Sequence, residues 1–151
     1  MKPESNKLAN RATIMWLALL ALAFLNGALR EFGLKPFLSE PVAQLVSAST
    51  GISMMTFAVR FAWKWIAIPS IAKAAFIGLS WLIATALFET FLLNRWIGDL
   101  SWEEIRQTYN VSSGEVWPFV LFWVGLLPLA NFVWDTMAAK PHLKRLKGQP
   151  S

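Results

Sequence analysis

The chain has 151 residues, 56% of them hydrophobic, with nine Trp and a formal net charge of +5, and its mean hydropathy is +0.45. A soluble domain keeps closer to half its residues apolar and disperses them, and a soluble four-helix bundle needs a polar face on each helix; neither pattern is present, because the charges fall in gaps between four apolar blocks. Cys is absent, which removes disulfides, thiolate nucleophiles and Cys-ligated metals.

Residues 1–11 are polar and basic, and residues 12–30 form the first predicted transmembrane helix, with Asn26 near its end and Arg30-Glu31 closing it. The apolar run exceeds a usual signal core and lacks a small-x-small cleavage site, so it is expected to stay as a span. A link with Gly33, Pro36 and Pro41 follows, and Ser39 or Glu40 is expected to cap the second helix, 42–62, with Pro41 in its first turn. That helix carries Gln44, Ser47, Ser49, Thr50, Ser53 and Thr56, and its Ala43, Ser47 and Gly51 form a small-xxx-small stripe for close helix packing within the chain or between copies. Its polarity predicts that it faces protein more than lipid. The third helix, 71–94, is interrupted by Glu89; the fourth, 116–138, holds Gly125, Pro128, Asn131 and Asp135; a basic tail occupies 139–151. Each block is close to the roughly 20 residues that span a bilayer core. The predicted fold is all-α, a polytopic membrane protein of four transmembrane helices with a short external interfacial helix.

Four spans put both termini on one side. That side holds ten basic residues against two acids, and the opposite side four against seven, a split of +8 against −3 that accounts for the net +5. By the positive-inside rule both termini are cytoplasmic, and the charge reports topology in an inner (plasma) membrane rather than a nucleic-acid partner. Trp16, Trp63, Trp65 and Trp134 are expected at the inner interface, and Trp96, Trp102 and Trp117 at the outer one.

The external loop, 95–115, has readable local structure. Ser101-Trp102-Glu103-Glu104 is a capping box, and Leu100 with Ile105 fits the accompanying hydrophobic staple. A helix of about two turns is expected at the membrane surface, with Trp102, Ile105 and Tyr109 on one side and Glu103 on another. Ser112 to Glu115 repeats the capping pattern before the fourth helix, and Asn110 or Gly114 is expected to supply any left-handed turn residue.

This topology brings Asn26, Arg30, Glu31, Gln44 and Glu89 to similar depth. A carboxylate in a lipid-facing segment costs a few kcal/mol unless paired, wetted or protonated, so Arg30 is expected to reach Glu89, with Asn26 and Gln44 completing the network. Two readings stand: an interhelical clamp that fixes helix order, or an outer-leaflet site for a lipid headgroup or ion. Trp102, Glu103, Tyr109 and Asn110 are candidate contacts from the loop. No metal-ligand spacing is present, no cofactor motif is found, and there is no Gly-x-Ser-x-Gly, phosphate loop or intramembrane aspartate pair. No catalytic residue is assigned. The partners implied are the lipid bilayer and a membrane protein or second copy.

The run Asn26-Gly27-Ala28-Leu29-Arg30-Glu31, followed by Pro41, Gln44, Phe88-Glu89, Trp102-Glu103, Tyr109-Asn110, Gly114, Trp117 and Pro128, resembles an uncharacterised family of small bacterial four-helix integral membrane proteins. Thr90 to Arg95 departs from that pattern in lacking a glycine. The resemblance implies a bacterial membrane protein and carries no activity with it. The expected function is an accessory or packing subunit, or a binder of a lipid headgroup or ion; a small enzyme or transporter using Arg30 and Glu89 is the alternative.

Overall fold

The computed structural model describes residues 3–113 and 115–147. α1 (Pro3–Ala28) runs on into a π-helical segment, Leu29–Leu34; α2 covers Glu40–Ile66; α3 (Ile71–Leu87) continues as π-helix through Phe88–Ile97; α4 is the short Trp102–Thr108; and α5 covers Trp117–Lys147. Four stretches are long and apolar enough to cross a membrane: Glu4–Leu34, Glu40–Ile66, Ile71–Ile97 and Trp117–Ala138. The protein is therefore an all-α membrane protein with four spanning helices and α4 between the last two. Gly114 and residues 148–151 of the basic tail, with the side chains of 139–147, lie outside the described residues.

Local signals account for most of the helix ends. α1 starts at Pro3, well before the expected 12, because a Pro in the first turn loses no intrahelical bond and Glu4 suits the helix N-terminus. Trp16 faces α3, where its indole N–H donates to Thr85 Oγ1 at 3.0 Å. Ser39 takes the extended N-cap conformation and Pro41 lies in the first turn, although the Ser39 hydroxyl makes no capping bond. α2 ends on Ala67, which adopts φ 56° and closes the helix by donating its N–H to Trp63 O at 3.1 Å. Ser70 caps α3 through Lys73 N–H at 3.3 Å.

The spans alternate in direction. α1 and α3 are parallel and in register: Trp81 Nε1 donates to Ala12 O at 3.2 Å, and four residues further along both helices Trp16 donates to Thr85. α2 and α5 are parallel as well, joined by Gln44 to Glu115 at 2.8 Å, Trp123 Nε1 to Thr56 Oγ1 at 2.8 Å and Arg60 to Asp135 at 2.6 Å. The α3–α5 pair packs most extensively, followed by α1–α2 and α2–α5; the α1–α3 seam is the thinnest. Close approach of α3 and α5 depends on glycine. A Cβ built on Gly78 would collide with the Gly125 carbonyl oxygen.

Two features of α2 follow from the same chemistry. Ala43, Ser47 and Gly51 are buried, with Met55, Val59 and Trp63 continuing their stripe, and the stripe is used within the chain. The expectation that α2 turns its polar residues toward protein is met at Gln44, Ser47 and Thr56, which bond to other parts of the chain, and not at Ser49 and Ser53. Ser49 and Ser53 are exposed, and their hydroxyls donate to the carbonyls of Leu45 and Ser49. A hydroxyl satisfied by its own helix can face lipid at little cost.

The dense core lies toward the end of the bundle that carries the chain termini. Val59, Ile66, Leu127 and Pro128 are fully enclosed there. At the opposite end, beneath α4, small residues on α1 and α2 leave the bundle hollow.

Candidate functional site

The hollow is a cavity of about 560 Å³. Its deep part is apolar, walled by Leu19, Met55, Val120 and Val124, and its outer part holds Asn26, Arg30, Glu31, Gln44, Glu89 and Glu115. From Leu19 to Glu31 the cavity follows α1 and the start of its π-helical continuation, about 18 Å at about 1.5 Å per residue. The space exists because Ala23, Gly27, Ala48 and Gly51 line it, where larger side chains would have closed it. On the thin α1–α3 seam, Phe24 and Phe88 meet edge-on with centroids 6.2 Å apart. Both line the cavity, and Phe24 is half exposed.

Each polar side chain can be followed to its partner. Asn26 lies over Gly51, whose added Cβ would come 2.9 Å from Asn26 Nδ2. That amide nitrogen donates to Ser47 O and Ser47 Oγ, both at 2.9 Å, while Oδ1 is buried without a partner. Gln44 Nε2 donates to Glu115 Oε2. Arg30 pairs with Glu31 at 3.2 Å, Glu31 with Lys35 at 3.0 Å, and Lys35 with Glu40 at 3.1 Å. The two carboxylates, Glu31 first, hold the Lys35 ammonium above its ordinary pKa. Arg30 Nε is buried and unpartnered.

The expected Arg30–Glu89 ion pair is not formed. Glu31 is next to Arg30 in the chain and, within the π-helical turn, takes its guanidinium locally, whereas Glu89 stands on the π-helical continuation of α3, across the loosest seam of the bundle. Glu89 Oε2 is buried with no hydrogen-bond partner. Nor do Asn26 and Gln44 join a network around these two: one is tied to Ser47 and the other to Glu115. All five residues meet around one space, but they do not clamp one another.

Glu89 is flanked by the indole of Trp117 and the phenol of Tyr109. Trp117 Nε1 is close to both yet makes no bond of good geometry, and it too is buried and unpartnered. Burial raises the Tyr109 pKa, the Glu89 charge adds to that, and the hydrogen bond to Thr90 at 2.9 Å opposes it. α4 places Tyr109. Ser101 accepts from Glu104 N–H at 3.3 Å, and the Glu104 carboxylate accepts from Ser101 N–H at 2.8 Å, which completes the capping box. Those bonds, the Ser101 hydroxyl first, hold the Glu104 carboxyl below its ordinary pKa. Trp102 packs edge-on against Phe91 at 6.0 Å, and Ile105 is buried.

None of the four loop candidates lines the cavity, and Tyr109 meets it only through its neighbours Glu89 and Trp117. Trp102 is exposed, Glu103 pairs with Arg106 at 2.8 Å, and Asn110 Oδ1 accepts from Ser112 N–H at 3.1 Å. The second capping pattern does not operate either: Val111–Ser113 is a 3-10 turn, α5 starts at Trp117, and Glu115 turns to Gln44 instead. Among the described residues, the left-handed position of this loop is Asp99, φ 48°, rather than Asn110. Sequence reasoning missed Ser47, Thr85, Glu115 and Trp117 as wall residues. Ser47 carried a usable signal, since it sits in the small-residue stripe at the depth of Asn26.

The arrangement offers binding chemistry. Among the described residues no nucleophile is paired with a base, and the site combines an apolar shaft with an outer ring of open donors and acceptors. Comparison of the chain with protein-family models, curated proteins and solved structures finds no match.

Proposed function

We propose that this is a multi-pass protein of a bacterial inner membrane, with both termini cytoplasmic, that binds an amphiphile drawn from the outer leaflet. The observation that carries this reading is the cavity itself: apolar at depth, polar at its outer end, with Glu89 Oε2, Arg30 Nε and Asn26 Oδ1 buried and unanswered. Buried polar atoms are normally satisfied, and a clamp would have spent these groups on one another. The thin α1–α3 seam, bridged by Phe24 and Phe88, supports lateral entry of an acyl chain, and the excess of basic residues on the terminal side supports the orientation.

The test is lipid retention. Protein purified in mild detergent is extracted and its bound lipid quantified by mass spectrometry, beside Ala23→Phe, which fills the shaft with an aromatic ring. Stoichiometric lipid on the parent and its loss from a folded Ala23→Phe is the expected result. Equal lipid on both proteins refutes the cavity as the binding site.

A further inference from the structure

Building on the amphiphile reading, we infer that the bound headgroup is zwitterionic, with a cationic nitrogen set against Glu89 and Glu115 and a phosphate set against Arg30.

Charge around the cavity is unbalanced in a specific way. Glu31 is answered by Arg30 and Lys35. Glu115 is met by the neutral amide of Gln44, and among the described residues neither it nor Glu89 forms an ion pair with Lys or Arg. Two carboxylates therefore face the space with no cation of their own. A carboxylate removed from water needs a compensating charge, hydrogen bonds or a proton, and a ligand cation supplies the first. A metal ion is a poorer fit, because among the described residues no three His, Cys, Asp or Glu side chains gather as ligands.

The open donors require a second charge of opposite sign. Arg30 spends Nη2 on Glu31 while its Nε is buried and free, and Trp117 Nε1, on another part of the same wall, is buried without a partner as well. A guanidinium has five N–H donors, so Arg30 can hold an oxyanion without releasing Glu31. A purely anionic headgroup would meet Glu31, Glu89 and Glu115 and be repelled. A purely cationic amphiphile would leave the Arg30 and Trp117 donors unmet. A phosphate bearing an ammonium answers both sets.

Native mass spectrometry of the full chain, titrated with lipids of identical acyl chains, separates these cases. The probes are phosphatidylethanolamine, phosphatidylglycerol (phosphate, no nitrogen) and diacylglycerol (neither). Phosphatidylethanolamine is expected to bind at least about tenfold more tightly than the other two, a difference of about 1.4 kcal/mol. Glu89→Gln is expected to remove most of that preference while leaving diacylglycerol binding unchanged, and thermal unfolding of each variant checks its fold. Should Glu89→Gln unfold, Glu115→Gln is read in its place. Phosphatidylglycerol binding as tightly as phosphatidylethanolamine, or a preference untouched in both folded variants, overturns the zwitterion and leaves the amphiphile site standing. Failure of all three lipids to bind overturns the amphiphile reading itself, and this inference with it.

Discussion

Three glycines in three environments give the packing of α3 against α5 a graded test. At Gly78 an added Cβ would collide with the Gly125 carbonyl oxygen, with Pro128 Cδ also 3.6 Å away. The obstacle is backbone, so no rotamer change relieves it, and α3 and α5 must separate along their most extensive contact. Overpacking of this kind costs about 1–3 kcal/mol, and the upper end applies where a whole helix has to shift. Gly125→Ala places its Cβ 3.0 Å from Leu82 Cδ1, 3.1 Å from Leu82 Cβ and 3.4 Å from the Gly78 carbonyl oxygen, tight contacts but no backbone collision, and a smaller cost of about 1 kcal/mol is expected. Gly27 has nothing within 4 Å. Gly27→Ala should therefore be neutral or gain up to about 1 kcal/mol from helix propensity. Unfolding in mixed micelles with increasing sodium dodecyl sulfate, followed by Trp fluorescence, reads all three. Gly78→Ala matching Gly27→Ala in stability would refute the close α3–α5 approach.

Other sites give independent checks. The Trp16–Thr85 bond crosses the α1–α3 seam in mid-span, and a double-mutant cycle of Trp16→Phe with Thr85→Val should return a coupling of about 0.6 kcal/mol, with about 1.7 as a ceiling; zero coupling would deny the register of α1 on α3. Ser101→Ala removes the α4 cap and is expected to cost about 1 kcal/mol of local stability, seen as faster amide exchange over residues 102–108 with the rest of the protein unaffected. The Glu104 pKa is depressed on folding, so its contribution is present above the ordinary carboxylate value of 4.5 and is lost as pH falls through the lower folded value; protection of the α4 amides, relative to their intrinsic exchange rate at each pH, should fall in acid and not in base. Arg60–Asp135 is half exposed, and breaking it with Arg60→Met should cost no more than about 1 kcal/mol, a result that a larger loss of thermal stability would contradict.

The spans, the external helix and its capping box were legible because each rests on local chemistry: apolar run length, Ser101 with Glu104, and Pro near a helix start. The depth of the polar residues was legible too, since helix register alone places Asn26, Gln44 and Glu89 at comparable heights. Pairing was not. Arg30 was expected to cross to Glu89, and its pairing with the adjacent Glu31 instead follows from the width of the α1–α3 seam, which periodicity does not report. The π-helical segments Leu29–Leu34 and Phe88–Ile97 were equally hidden, because the residues there are ordinary α-helix formers. Such segments recur at functional sites, and here both border the cavity. The cavity was foreshadowed only by small residues, Ala23, Gly27, Ala48 and Gly51, and small residues in membrane helices more often mark close packing than empty space.

Because all four spanning helices wall the cavity, no part of the chain contains it in miniature. A nascent protein halted after the third span, Ile71–Ile97, already carries Glu89 but lacks Val120 and Val124 of the far wall, and Gln44 has no Glu115 to hold. The α1–α3 ties join residues 69 apart, and those of α2 to α5 join residues 67 to 75 apart, so assembly is decided late, when the last span arrives. Split halves of this protein should therefore regain ligand only as a reconstituted pair, and a C-terminal truncation into α5 should abolish binding outright rather than weaken it by degrees.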